Sequence, residues 1–168
     1  MLFLIVLGAA TTLTALVLTV RRTFSARAAA RIGMAAAMAV VGATHLLMPT
    51  PFLQHLPAWV PARELLVAVS GVLETGLGAA LLLRPPLRRR AGLVLAAYLV
   101  AIFPANAYVA IAGVDVDGQP GGMYPWVRLP FQLLFIAWAV WSTAASPSAD
   151  PADLHAHESG STQLDAAH

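Results

Sequence analysis

The chain has 168 residues, of which 59% are hydrophobic, and only 11% are charged, against about 25% in typical soluble domains. It contains no cysteine, which excludes thiol relays, disulfide exchange and thiolate-held iron–sulfur clusters. The net charge is +2, but the ten arginines behind it do not form the basic face on a soluble surface that nucleic-acid binding requires.

Five apolar stretches follow one another along the chain, each close to the ~20 residues that a helix needs to cross ~30 Å of hydrocarbon. Alternation with a period of two residues is absent, so the pattern predicts helices rather than the strands of a membrane barrel. The predicted fold is an all-α integral membrane helix bundle. The stretches cover residues 2–20, 32–48, 65–83, 91–112 and 123–145.

The first stretch is predicted to be a retained membrane anchor rather than a cleaved signal peptide. No positive charge precedes it, and its apolar part is longer than the core of a signal peptide. Arg21 and Arg22 follow it directly, without a cleavage site of small residues. Residues 1–20 are therefore expected to form an additional N-terminal transmembrane helix.

Arginines are concentrated in two of the connections between the stretches, which indicates the orientation of the chain. Because cytoplasmic loops carry an excess of Arg and Lys, these two connections are predicted to be cytoplasmic. The N-terminus would then lie outside and the C-terminus inside, with the arginines against anionic lipid headgroups. The residues concerned are Arg21, Arg22, Arg27, Arg31, Arg84, Arg88, Arg89 and Arg90.

The end of the chain changes composition. Residues 146–168 are rich in Ser, Pro, Ala and Asp. Such a segment buries too little apolar surface to offset the entropy lost on ordering. It is predicted to be a disordered tail after a bundle that covers residues 28–145.

Seven polar side chains interrupt the apolar stretches, all in the outer half of the predicted bundle. Ionisable groups in hydrocarbon cost about 2.5 to 3.5 kcal/mol each and usually face one another or a wet cavity. The simplest arrangement pairs Arg128 with Glu74 or Glu64. The set is a candidate site for ligand binding or proton relay, and no metal is expected there. Alternatively, these contacts only hold the helices together. The residues are His45, Glu64, Ser70, Glu74, Asn106, Arg128 and Gln132.

Glycine and proline residues occur close to this polar set. Gly71, Gly76 and Gly78 are predicted to let a neighbouring helix approach beside Glu74. Pro104 leaves a backbone carbonyl one turn earlier without its helical donor, so a kink is expected there.

The polar residues, together with these glycines and prolines, form a pattern that resembles the DoxX family of small bacterial membrane proteins. The resemblance runs from about residue 32 to residue 141. It implies a four-helix membrane bundle in the bacterial cytoplasmic membrane, with residues 2–20 as an addition. The matching residues are His45, Pro49, Phe52, Pro57, Pro61, Ser70-Gly71, Glu74, Arg90, Gly92, Phe103-Pro104-Ala105-Asn106, Arg128-Leu129-Pro130 and Gln132.

The resemblance also suggests a function, because the family is named after a subunit of a thiosulfate:quinone oxidoreductase. It implies a redox-associated subunit, working with a partner redox subunit or as a homo-oligomer, whose outer-half cluster binds a quinone-like headgroup. Arg128 and Asn106 would donate to carbonyl oxygens, while His45 and Glu74 would relay protons. No haem is expected. The alternative is a non-catalytic subunit that assembles or stabilises a partner complex; solute transport is less favoured, because no inverted repeat is detectable.

Overall fold

A computed structural model describes residues 2–22 and 25–144, and within these ranges the regular secondary structure is all helix, joined by turns and loops and without strands. The predicted tail, residues 146–168, lies outside the described residues. The helices are α1 (Leu2–Val20), α2 (Ala26–Leu47), the short α3 (Thr50–Leu53), α4 (Arg63–Ala80), α5 (Pro85–Ala112) and α6 (Tyr124–Thr143).

Three of these helices, α1, α2 and α5, are long and apolar enough to cross a membrane. Two of them begin earlier than the apolar stretches predicted. The α2 helix starts after Ser25, whose side chain accepts a hydrogen bond from the Ala28 amide and so caps the helix. The α5 helix starts at Pro85, because proline suits the first helical turn.

The helices α4 and α6 are not among these three candidates, and both carry charged side chains. The 18 residues of α4 include Arg63, Glu64 and Glu74. The α6 helix carries Arg128 and Gln132 and continues through Pro130, just as α5 continues through Pro104.

Both arginine clusters lie at one end of the bundle, which we call the arginine-rich end. There the Trp138 indole donates to the Ala30 carbonyl at 2.9 Å, which joins the end of α6 to the start of α2. The start of α5 lies at the same level, since Gly92 packs against Thr143. The opposite end, which we call the histidine end, contains His45 and His55.

The closest helix packing is between α2 and α4. A Cβ atom at Gly71 would lie 2.8 Å from the Gly42 carbonyl oxygen, and one at Gly78 would lie 3.0 Å from the Ala35 carbonyl oxygen. The predicted role of Gly71 and Gly78 is therefore confirmed, with α2 as the neighbouring helix. The same prediction is wrong for Gly76, because a Cβ atom added there would have no neighbouring atom within 4 Å.

The apolar core lies between α2, α5 and α6, and α1 packs along its side. Met34, Met38, Leu95 and Ala139 are fully or almost fully buried. From α1, Leu7 reaches this cluster, while most of the remaining side chains of that helix are half-buried or exposed. The α1 helix thus occupies the edge of the bundle, and one face of it is available to lipid.

Candidate functional site

The polar side chains at the histidine end form two hydrogen-bonded clusters between α2, α4, α5, α6 and the connection at residues 48–62. The first, the Glu74 cluster, contains His45, Glu74 and Tyr98. The second, the Arg128 cluster, contains His55, Asn106, Gln119, Arg128 and Gln132.

Glu74 is almost completely buried, with 4% of its surface exposed. The Tyr98 hydroxyl donates to Glu74 Oε1 at 2.7 Å. His45 Nδ1 is 3.1 Å from Glu74 Oε2, but it also lies 2.9 Å from the Val41 carbonyl oxygen. Both oxygens can only accept, so Nδ1 carries the hydrogen, and its direction makes the hydrogen bond to the Val41 carbonyl. Oε2 is therefore left without a hydrogen-bond partner within the described part of the chain.

The position of His45 depends on the packing between α2 and α4. A Cβ atom at Gly71 would lie 2.7 Å from His45 Cβ, so only glycine lets the imidazole approach α4 at this level. On its other side the ring stacks on Phe52 of α3, with 3.6 Å between ring centroids. The connection after α2 therefore folds onto the polar residues.

Arg128 directs its guanidinium towards three neutral acceptors. Nη1 donates to Gln119 Oε1 at 2.7 Å and to His55 Nε2 at 3.0 Å. Nη2 donates to Asn106 Oδ1 at 3.1 Å. His55 can accept because its Nδ1 donates to the Pro51 carbonyl at 2.7 Å, which defines its neutral tautomer.

Asn106 and Gln132 extend this cluster towards the middle of the bundle. The Asn106 amide donates to Gln132 Oε1, and Gln132 Nε2 donates to the Leu99 carbonyl, both at 2.6 Å. Because Leu99 directly follows Tyr98, the Arg128 cluster ends beside the Glu74 cluster.

The predicted pair between Arg128 and a glutamate is wrong. Among the described residues, the carboxylate and basic group that lie within 4.0 Å of each other are those of Glu74 and His45. Arg128 makes no such contact with a glutamate. Arg128 points towards the connections at the histidine end, whereas Glu74 lies deeper and receives Tyr98. Glu64 is exposed at the start of α4, where water or headgroups can solvate it.

The predicted residues therefore divide between the two clusters. His45 and Glu74 meet in one, and Asn106, Arg128 and Gln132 meet in the other. Ser70 donates to the Val67 carbonyl of its own helix at 2.8 Å and also contacts Tyr98, at the edge of the Glu74 cluster. Glu64 belongs to neither cluster.

Sequence reasoning missed three members of these clusters. Tyr98 had a usable signal, because it is a phenol in the middle of a predicted span at a depth similar to that of Glu74. His55 lies in the connection between two predicted spans, and it is buried because that connection folds onto Arg128. Gln119 gave no signal, since it lies in a Gly- and Asp-rich turn.

A cavity of about 350 Å³ lies beside the Arg128 cluster, between the end of α5 and the start of α6. Asp115 and Trp126 line it, and so does Gln119, which accepts from Arg128. No three His, Asp or Glu side chains converge as metal ligands in residues 2–22 and 25–144.

Acid should destabilise the fold through His55. Burial, and then the charge of Arg128, lowers the pKa of His55 from 6.5 to about 4, although its hydrogen bond to Pro51 acts in the opposite direction. Between these two pH values the unfolded chain binds the proton and the folded chain does not. The contribution of His55 to stability is therefore complete above pH 6.5 and is lost as the pH falls towards 4. At 1.36 kcal/mol per pH unit it amounts to about 3 kcal/mol.

Thermal unfolding in detergent between pH 4 and 7.5 measures this effect. The Tm of the parent should fall below pH 6.5, and that of His55→Gln should fall less, because an amide still accepts from Arg128 but does not titrate. Parallel curves for the two proteins would show that His55 is not the group responsible.

Comparison with known proteins identifies a family for this chain. A family model described as a domain of unknown function (DUF8561) matches residues 34–143. Neither the curated proteins nor the solved structures give a match. The matched region begins in α2 and ends with α6, so it contains both polar clusters and leaves out α1. The chain belongs to the DUF8561 family.

Proposed function

We propose that this protein is a DoxX-like, redox-associated membrane subunit that holds a quinone-like headgroup against Glu74. The observation that carries the proposal is the unpartnered Oε2 atom of Glu74. A buried carboxylate oxygen without a donor costs free energy, and a ligand hydroxyl would supply that donor. The resemblance to the DoxX family points to the same ligand class.

The chemistry follows from the two oxygens of Glu74. Tyr98 donates to Oε1 and orients the carboxylate, so that Oε2 can accept from a quinol hydroxyl. Oxidation of the quinol to the quinone releases two protons and two electrons. Glu74 would take one proton, and the His45 imidazole beside it would pass on the other. The electrons would go to a redox centre on a partner subunit.

The proposed topology has five spans, with the N-terminus outside and the C-terminus in the cytoplasm. The α4 helix connects the histidine end to the arginine-rich end, because α2 and α5 both start at the arginine-rich end. Its 18 residues span ~27 Å at ~1.5 Å per residue, close to the hydrocarbon thickness. Both arginine clusters share one end, and the positive-inside rule supports a cytoplasmic location for that end.

A non-catalytic role in assembling a partner complex is the second candidate. The Arg128 cluster favours it, because both terminal nitrogens of Arg128 already have acceptors within the protein. A cluster satisfied in this way joins α5, α6 and the connections without needing a ligand.

Binding of a short-chain alkyl benzoquinol by the purified protein in detergent tests the proposal. Glu74→Gln preserves the shape and can still accept from Tyr98, but it cannot take up a proton. We expect it to weaken binding at least tenfold, with unfolding by heat almost unchanged. Glu64→Gln is the matched control, because it removes an exposed carboxylate from the same helix, and it should bind like the parent. If the parent does not bind, or if Glu74→Gln binds equally well, the assembly role becomes the better explanation.

A further inference from the structure

The arginine-rich end contains two arginines whose side chains are poorly satisfied. Arg31 of α2 and Arg88 of α5 are only partly exposed. The Nε atom of each is buried and has no hydrogen-bond partner in the described part of the protein. Arg31 Nη1 donates to the Ser142 carbonyl at 3.4 Å, which is a long and weak contact.

These two arginines also repel each other. They are close enough for the charge of Arg88 to act on Arg31. Of the carboxylates in the described ranges, Glu64, Asp115 and Asp117 lie at the histidine end, and Glu74 lies beside Tyr98 and His45, away from the two arginines. Partly buried cations without an anion are costly. The local excess of positive charge therefore calls for an anion from outside the described residues.

A cavity at the start of α5 has room for such an anion. Its volume is about 210 Å³, and Arg88, Arg89, Thr143 and the prolines at 85 and 86 line it. This is several times the ~30 Å³ that one water occupies in the liquid, so a group with several heavy atoms fits. A guanidinium group is positively charged and planar, and it can donate two parallel hydrogen bonds to two oxygens of a phosphate.

We propose that Arg88 and Arg89, with the charge of Arg31 behind them, bind a phosphate group, and that in the membrane this is the headgroup of an anionic phospholipid. Basic pockets between membrane helices are suited to such headgroups. A lipid that carries net negative charge compensates both Arg31 and Arg88, whereas a zwitterionic lipid brings its own cation. The site lies at the opposite end from Glu74 and does not depend on the quinone proposal.

Lipid binding to the full-length protein in detergent, counted by native mass spectrometry, tests the site. The probes are phosphatidylglycerol, phosphatidylcholine and inorganic phosphate. The parent should bind phosphatidylglycerol at least tenfold more tightly than phosphatidylcholine. Arg88→Gln should weaken phosphatidylglycerol binding about tenfold, and so should Arg89→Gln, whose exposed side chain makes misfolding an inadequate explanation. Arg90→Gln is the control: Arg90 is exposed and outside the cavity lining, so its loss should change binding less than twofold.

Each other outcome has a definite meaning. Equal losses for Arg88→Gln and Arg90→Gln would indicate a general surface charge and overturn the site. Saturation by inorganic phosphate, with no preference for phosphatidylglycerol, would keep the phosphate chemistry but overturn the lipid as its source. The residues after Ala144 include Asp150, Asp153, Glu158 and Asp165. If phosphatidylglycerol binds only after residues 145–168 are removed, these carboxylates hold the arginines in the full chain and the proposal is wrong.

Discussion

Leucine in place of Gly42 should prevent the bundle from folding, whereas alanine in place of Gly76 should not. A Cβ atom at Gly42 would lie 2.5 Å from the Gly71 carbonyl oxygen and 2.9 Å from the Thr75 backbone nitrogen. Both are backbone atoms, so α2 and α4 must separate before any side chain fits. Overpacking of a core typically costs about 1 to 3 kcal/mol where neighbouring side chains can move aside. Here the neighbours are backbone atoms of α4, so we expect a larger cost.

Separation of α2 and α4 would also move His45 away from Glu74. We therefore expect Gly42→Leu to lose the unfolding transition in detergent, and Gly42→Ala to lower the Tm strongly. Gly76 lies on the same helix as Gly71, with open space around it, so Gly76→Ala should be neutral or raise stability by up to about 1 kcal/mol through helix propensity. A Gly42→Leu protein with the parent's Tm would mean that the two helices are not in close contact.

The sequence predicted the helices well, because apolar length in a membrane protein directly reflects the need to satisfy backbone hydrogen bonds in lipid. The first predicted stretch, residues 2–20, coincides with α1. The starts of α2 and α5 were placed too late for a simple reason. An apolar stretch ends at the first arginine, but a helix does not have to end there: Arg27 and Arg88 lie in the first turns of α2 and α5.

The candidate site was only partly predictable. Depth along each helix correctly placed His45, Asn106 and Arg128 at one end of the bundle, because the helix rise of about 1.5 Å per residue converts sequence position into depth. The partner of each side chain depends on the distances between helices and on the folding of the connections. Neither His55 nor Gln119 lies in a predicted span, yet both accept hydrogen bonds from Arg128.

A double-mutant cycle between Arg128 and Glu74 tests whether these two side chains interact directly. Arg128→Ala leaves the acceptor atoms of His55, Asn106 and Gln119 without their donor. A buried acceptor left unsatisfied costs about 1 to 3 kcal/mol. Of the three residues, His55 is buried and Asn106 and Gln119 are half-buried, so we expect a loss of about 2 kcal/mol or more in the free energy of unfolding. Glu74→Gln alone should cost little, because Tyr98 can donate to the amide oxygen.

If Arg128 neutralised Glu74, removing both charges would recover much of the loss, since the second change would remove a stranded carboxylate. The geometry predicts the opposite: Arg128 and Glu74 share no hydrogen-bond partner. The losses of the single variants should therefore add within about 0.5 kcal/mol. Denaturant unfolding of the parent, both single variants and the double variant in one detergent gives the coupling energy. A recovery of more than 1 kcal/mol in the double variant would show that the two groups interact directly, and that the separation into a Glu74 cluster and an Arg128 cluster is wrong.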